Sequence, residues 1–375
     1  MLDQLEAGAR PTTNLDPNAE IPPYALIIGG RVDGQVTMVV DRLRQTNTPY
    51  IFLDQNGFAD ADGNPDFSID ISADGVIQAR LGGRAIPDPA VVWCRQKQSA
   101  MVGHWDKDTA ETYVTRTEWH SFIFNLCAIY RDRMLYRLSD VAYATNKPAQ
   151  FRAAGSVGFK IPESTMFLGR KAALAFAEKH NSIVAKPIGT RSFPAQKGEV
   201  KNFRCVYTMD IQPRMLASAS EEEFRTPTFF QRRIREGVEF RVIVSAKHVF
   251  AYKIAQSVES RVRADERALY FDPDRSVYGL RYELVPTPAF LAKAVPLFMD
   301  KLGIINTTMD VIQRPDGAFE YLECDAEGQW YAAVGRNIDE VIDVFTKHLI
   351  GRLETASPPA RARRAPAREA VAPSA

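Results

Sequence analysis

The segment Thr307-Thr308-Met309-Asp310-Val311-Ile312-Gln313-Arg314-Pro315-Asp316-Gly317-Ala318-Phe319-Glu320-Tyr321-Leu322-Glu323-Cys324-Asp325 constrains this chain more than any other. It predicts a β-hairpin with acids in its middle. Asp316-Gly317 is the dipeptide that a two-residue type I′ turn wants, since both central residues need positive φ, and strand formers flank it. Such a turn sets Asp310 directly opposite Glu323, and strand alternation sends Asp325 to the same face as Glu323. Like charges facing one another destabilise a sheet. Two acids alone would read as a solvated acidic hairpin, but a third in register favours a cation among them. Hard divalent ions take oxygen ligands, and Mg²⁺ is commonly held by one or two carboxylates together with substrate phosphates. Asp310, Glu323 and Asp325 are therefore the candidate metal ligands.

Composition narrows the function classes. Lys plus Arg at 47 against Asp plus Glu at 46 leaves no global excess, so charge argues for neither a nucleic-acid nor a membrane-surface partner. The cysteines, Cys94, Cys127, Cys205 and Cys324, lie far apart and form neither CxxC nor a Cys/His cluster, which suits a reducing cytosol and argues against structural zinc. The N-terminus lacks an apolar targeting core, and no run approaches the ~18 apolar residues of a membrane span, so a cytoplasmic protein is expected.

The expected organisation is a flexible leader (1–22), an N-terminal α/β domain (23–137), a central domain (138–235), a C-terminal domain (236–354) and a disordered tail of Ala, Pro and Arg (355–375). Strands at Tyr24–Ile28 and Pro49–Leu53 around a helix at Thr37–Gln45 make a βαβ opening. Gly29-Gly30 and Asp54 hint at a dinucleotide fold, but GxGxxG is absent, which leaves an α/β unit without a cofactor. Further strands are expected at Val91–Arg95, Ser182–Pro187, Phe203–Ile211 and Thr228–Ile234, with a polar loop over Ile188–Asn202. A hairpin of Glu239–Ser245 with His248–Ala255 turns at Ala246-Lys247, and a helix over Ala289–Leu302 is broken or kinked by Pro296.

Lys186 ends an apolar strand just before a loop containing Gly189, Thr190, Arg191 and Ser192, where a lysine can hold a phosphate as a point charge. Lys147 precedes Pro148 and opens the central unit. Alone, a lysine at such a boundary is usually just a solvated residue. Glu239 and Arg241 share one face of a strong strand, as a salt bridge or as part of a site.

Taken in order, these elements resemble the ATP-grasp ligases. Asn146-Lys147-Pro148-Ala149-Gln150-Phe151-Arg152-Ala153-Ala154 with Gly158-Phe159-Lys160-Ile161-Pro162 is similar to the opening of that family's central domain. Ala185-Lys186-Pro187, Phe230-Gln231-Arg232-Arg233-Ile234, Glu239-Phe240-Arg241-Val242 and Met309-Asp310 through Asp325 continue the likeness. Gly328-Gln329-Trp330 and Trp93-Cys94-Arg95 resemble the branch that modifies ribosomally made peptides, the microviridin-type or graspetide ligases. The sequence departs from that branch where Asp325 replaces a common Asn and Ala326-Glu327 replace Pro-x, and Asp265-Glu266-Arg267 is only faintly like its "DwR" motif.

The resemblance implies an ATP-grasp fold of the α/β (α+β) class, with an N-terminal α/β pre-ATP-grasp domain, a central domain and a C-terminal antiparallel-sheet domain. It implies ATP and Mg²⁺ as cofactors and a precursor peptide, leader and core, as partner, and it leaves a homodimer open. Lys147 and Lys186 would contact phosphates, Gln231, Arg232 and Ile234 the adenine, Glu239 the ribose, and Asp310, Glu323 and Asp325 the metal, with Arg241 and Lys186 as catalytic residues. The implied reaction is ATP-dependent carboxylate ligation to an amine or hydroxyl through an acyl phosphate. Alternatives are a ligase that adds an amino acid to a peptide or joins small molecules, and a non-catalytic nucleotide- or peptide-binding homologue.

Overall fold

The structure is a computed structural model that describes residues 12–16, 18–31, 33–55, 65–95, 110–167, 169–189, 192–196, 199–205, 208–255, 281–330 and 337–355. The expected tail and the Asp265-Glu266-Arg267 stretch lie outside the described residues, apart from the tail's first residue.

The N-terminal unit is built on a parallel sheet of β1 (Ala25–Gly29), β2 (Tyr50–Asp54) and β6 (Val91–Cys94), in the order β2-β1-β6. Between β2 and β6 the chain makes an antiparallel meander of β3 (Phe67–Ile71), β4 (Ile77–Leu81) and β5 (Arg84–Ala85). Helix α1 (Gly34–Gln45) is capped by Asp33, whose carboxylate accepts from the Gln35 N–H. Strand alternation divides β1 between two cores. Ala25 and Ile27 face α1, whereas Leu26 and Ile28 face α2 (Ala110–Ile129) and the meander.

Residues 12–15, assigned above to a flexible leader, are tied to β2. Thr13 bridges Ile51, the Tyr50 N–H donates to Asn14 Oδ1, and Leu15 is buried. Their backbone and short polar groups satisfy an edge strand, which hydropathy does not register.

Helices α3 (Leu138–Ala144) and α4 (Lys147–Ser156) follow, then β7 (Ser164–Phe167), α5 (Arg170–His180), β8 (Ile183–Lys186), β9 (Ser192–Gln196), β10 (Glu199–Cys205), β11 (Met209–Ile211), α6 (Pro213–Ser218) and β12 (Thr228–Arg232). The four-stranded sheet β11-β8-β12-β7 packs on α5 and α6 through Ala173, Ala177, Ile183, Leu216 and Phe230. Two expectations are corrected here. The polar loop over 188–202 contains an antiparallel pairing of β9 with β10, and the strand expected over 203–211 is two strands, of which β11 pairs instead with β8. Pro194 and the polar pair Lys201-Asn202 interrupt the short alternations of this ribbon, and its pairing shifts register between Glu199 and Phe203, so no sustained strand pattern is displayed in the sequence.

The last unit is a five-stranded antiparallel sheet, β15-β14-β13-β16-β17, made of β13 (Val238–Ser245), β14 (His248–Ala255), β15 (Arg281–Val285), β16 (Thr307–Gln313) and β17 (Phe319–Asp325). Its inner face buries Phe240, Val242, Met309, Val311, Phe319, Tyr321 and Cys324 against α3, α4 and α7 (Ala289–Leu302). Pro296 does not break α7, which is one continuous helix. Helix α8 (Ile338–Thr355) joins the units, with Phe345 packed against Trp93 (ring centroids 4.7 Å apart) and Trp330 (5.4 Å). No described helix is long and apolar enough to cross a membrane.

Candidate nucleotide and metal site

Asp310 does lie opposite Glu323, but not by the turn expected. Gln313 pairs with Phe319 across a longer loop, closed by Arg314 N–H to Ala318 O (2.8 Å) and Gly317 N–H to Arg314 O (2.9 Å). Pro315 takes the second position of that inner turn, and only Gly317, at φ 85°, needs the left-handed region. The loop shifts the register by one residue, and a bulge that leaves Leu322 unpaired shifts it back. The two-residue turn with two positive φ values occurs elsewhere, at Ala246 (47°) and Lys247 (71°) between β13 and β14. Asn306 Oδ1 holds it by accepting the Ala246 N–H, so side-chain support replaces the usual Gly.

On the outer face of the sheet, cross-strand pairing sets Arg241 beside Asp310 and Asp310 beside Glu323. Arg241 donates to both oxygens of Asp310, Nε to Oδ1 at 2.8 Å and Nη2 to Oδ2 at 3.0 Å. Lys147 Nζ lies 3.3 Å from Glu323 Oε2. The repulsion inferred from the sequence is thus offset by a row of charges, Arg241 to Asp310 and Glu323 to Lys147. All four side chains are partly or largely buried. The convergence of three acids is not found: among the described residues no group of three or more His, Cys, Asp or Glu is arranged to hold a metal. Asp325 lies one pair further along the same face, opposite Thr308, and its Oδ1 accepts the Glu327 N–H at 3.3 Å.

Lys147 starts α4, behind Asn146, whose Oδ1 accepts the Ala149 N–H. Its ammonium also sits 5.4 Å over the ring of Phe229 on β12. Phe229 is the cross-strand partner of Lys186, and side chains directly opposite project to one face. The two lysines therefore share Phe229 as neighbour, at the meeting of the central and C-terminal sheets. Gln231 is on the same face of β12, buried, with Nε2 donating to Ser164 Oγ at 3.1 Å. Arg232 reaches Glu320 Oε2 at 2.9 Å. Ile234 follows β12, half-buried, and Glu239 pairs with Ile312.

Strand β17 is a sheet edge, and its outward groups are capped from the central segment. Lys160 donates its N–H to Phe319 O (2.8 Å) and accepts from the Tyr321 N–H (2.9 Å). Beyond the bulge the outward residue is Cys324, and the buried Gln150 amide takes both its groups, Nε2 to Cys324 O at 3.1 Å and Cys324 N–H to Oε1 at 3.2 Å. Gln150 Oε1 also accepts the Tyr321 hydroxyl (2.9 Å), and Nε2 donates to Ala144 O (2.7 Å). Gln150 belongs to the segment that opens the central domain, which by itself assigns it no role. Its only local signal is a polar residue amid alanines on a helix that must bury that face. Burial pushes the Cys324 thiol up to about 12, so it stays protonated and is no thiolate nucleophile.

The carboxyl ends of β1 and β6 make the crevice in which open parallel sheets bind ligands. Here the chain fills it with its own residues 327–330. Arg95, 2% exposed, donates Nη1 to Glu327 O (2.5 Å), Nη2 to Gly328 O (2.9 Å) and to Gln35 Oε1 (2.5 Å), and Nε to Asp33 Oδ2 (2.7 Å). Gln35 Oε1 also accepts the Trp330 N–H. Burial opposes the Arg95 charge, but Asp33 and Glu327 more than offset it, and its pKa is raised.

A Chryseobacterium gregarium RiPP-associated ATP-grasp ligase, solved with ADP and a leader and core peptide, superposes at a TM-score of 0.69 with 17% identity, over 88% of this chain and 97% of its own. This chain has the ATP-grasp fold. Two further solved structures superpose over the same span. The macrocyclase MdnC of Microcystis aeruginosa, bound with its precursor peptide MdnA, gives 0.67 at 16% identity (88% and 99% covered). The ligase PsnB, complexed with a minimal precursor, Mg and ADP, gives 0.63 at 19% identity (88% and 97% covered). No family model matches the sequence, and no curated protein does. Within the ATP-grasp fold, Lys147, Arg241, Asp310 and Glu323 form one row of contacts that Lys186 adjoins through Phe229, whereas Asp325 is held apart by its own turn.

Proposed function

We propose that the protein is an ATP-dependent carboxylate ligase that forms side-chain ester or amide crosslinks in a ribosomally made precursor peptide. The observation that carries this reading is the charge row, in which a lysine from the start of α4 meets two facing carboxylates backed by an arginine. The donor set suits a triphosphate with a hard divalent ion: carboxylate oxygens for the metal, ammonium groups for the phosphates. Asp310 and Glu323 would hold Mg²⁺ together with the phosphates, Lys147 and Lys186 the phosphates, Gln231, Arg232 and Ile234 the adenine, and Glu239 the ribose. Bound Mg²⁺ would supply neutralisation of phosphate charge.

The chain's own contribution is positioning and electrostatics, since phosphoryl transfer needs little covalent help from the protein. A peptide carboxylate oxygen attacks the γ-phosphorus and the bond to ADP breaks. An amine or hydroxyl then adds to the acyl carbon, phosphate leaves, and the nucleophile gives up its proton. Arg241, its fork fixed by Asp310, would steady the acyl phosphate. The peptide assignment draws on the neighbours solved with leader, core or precursor peptides. The test is to incubate purified protein with Mg²⁺-ATP and a peptide from an adjacent reading frame rich in Asp/Glu beside Ser, Thr or Lys. ADP and a product lighter by one water are expected. Finding neither would sink the reading.

A further inference from the structure

The turn that follows β17, residues 326–330, is held from two sides. On the sheet side Asp325 anchors it: its carbonyl accepts the Gly328 N–H and the Thr307 hydroxyl, each at 2.8 Å, and its Oδ1 accepts the Glu327 N–H at 3.3 Å. From the N-terminal unit Arg95 donates to Glu327 O and Gly328 O, and Gln35 Oε1 accepts the Trp330 N–H at 3.3 Å. Gly328 sits at φ 67°, where a Cβ would meet Trp330 Nε1 at 2.5 Å, so the turn is confined to one shape. Ala326, Glu327, Gly328 and Trp330 are buried, and of the five only Gln329 is exposed. An exposed glutamine by itself is ordinary. A side chain presented by a turn that is fixed on either side of it is preorganised, as a binding group must be.

Its place is the border of the site. The Gln329 N–H donates to Thr308 Oγ1 at 2.9 Å. Thr308 precedes Asp310 by two residues on the outer face, about 7 Å along β16. To one side of Thr308 that face is covered by α8, where Ser245 Oγ donates to Val341 O at 3.0 Å and Trp330 packs on Phe345. To the other side Arg241, Asp310 and Glu323 remain partly exposed.

We propose that Gln329 is a substrate-binding residue whose amide hydrogen-bonds the main chain of the peptide beside the acid that reacts over Arg241. The proposal rests on the peptide-ligase reading above and deepens it. A Gln amide offers one acceptor and two donors, which matches a peptide group with its one N–H and one C=O. The span agrees too, since an acidic side chain reaches about 4 Å from its main chain and a hydrogen bond adds about 3 Å.

The experiment measures steady-state kinetics with Mg²⁺-ATP and the peptide from the adjacent reading frame, for wild type and Gln329→Met, which keeps the length and removes the hydrogen bonds. The variant should lose about tenfold in kcat/KM for peptide, because each hydrogen bond is worth about two- to tenfold. Its ADP affinity by titration calorimetry and its urea midpoint should match wild type, since the side chain is exposed and lies off the nucleotide contacts. A second arm uses peptides in which one main-chain N–H flanking the reacting acid is replaced by an ester oxygen. One of them should lose about as much with wild type and nothing further with Gln329→Met. Unchanged kcat/KM in the variant, an equal loss of ADP affinity, or ester losses that add in full to the variant's would overturn this proposal and leave the ligase reading standing. A wild type that forms neither ADP nor a product lighter by one water would remove that reading, and the proposal with it.

Discussion

Replacing Gln150 by Leu tests whether one buried amide seals the edge of the acidic strand. The substitution keeps the volume and removes four hydrogen bonds: from Cys324 N–H and Tyr321 O–H, and to Cys324 O and Ala144 O. The two donors are left buried without acceptors, at about 1–3 kcal/mol each. The two carbonyls cost less, since each has a second lone pair and is less often left orphaned. Leu returns about 1–2 kcal/mol of apolar burial. The net loss is about 2–4 kcal/mol, a large part of the ~5–15 kcal/mol that holds a typical domain. Urea unfolding should show a lower midpoint at unchanged slope. Gln150→Glu should be worse still near neutral pH, because it buries a charge facing two carbonyls. Its folded-state pKa would be raised, so the deficit should shrink as pH falls towards the ~4.3 of an unfolded glutamate. A Gln150→Leu protein within about 1 kcal/mol of wild type would refute the reasoning, showing that water replaces the amide at this edge.

Three further outcomes are expected. Glu323→Gln should change unfolding free energy by no more than about 1 kcal/mol, since its pair with Lys147 is part-exposed, yet abolish ADP formation; retained biological function in that variant would favour a non-catalytic homologue. Ala246→Gly should stabilise by about 0.5 kcal/mol, because relief of a left-handed conformation (~1–2 kcal/mol) outweighs the extra freedom of Gly in the unfolded chain (~0.4–1 kcal/mol); urea midpoints decide the sign. The pKa of His348 is lowered by burial and then by Arg352, Lys247 and His248. Its stabilising contribution is therefore present above the unfolded value of ~6.5 and is lost as pH falls through the lowered folded value, so His348→Gln should flatten the acid side of a midpoint-against-pH curve.

Local chemistry in the sequence determined much of this molecule. Alternation and turn residues placed the acids, the two lysines, the Glu239–Arg241 face and the β13–β14 hairpin, because each depends on a handful of consecutive residues. The pairing of Asp310 with Glu323 was reached through a turn that does not form, and it holds only because the Leu322 bulge cancels the shift that the longer loop introduces. Which cation neutralises which acid, which amide closes the edge of β17 and what fills the crevice beside β1 were decided by tertiary structure alone. Arg241 meets Asp310, Gln150 meets Cys324 and Arg95 meets Gly328 across long stretches of chain, and no periodicity records such a meeting. The physical reason is that burial leaves each polar group to find its partner in space. A sequence read by its neighbours shows that the group is there, and only the packed fold shows what satisfies it.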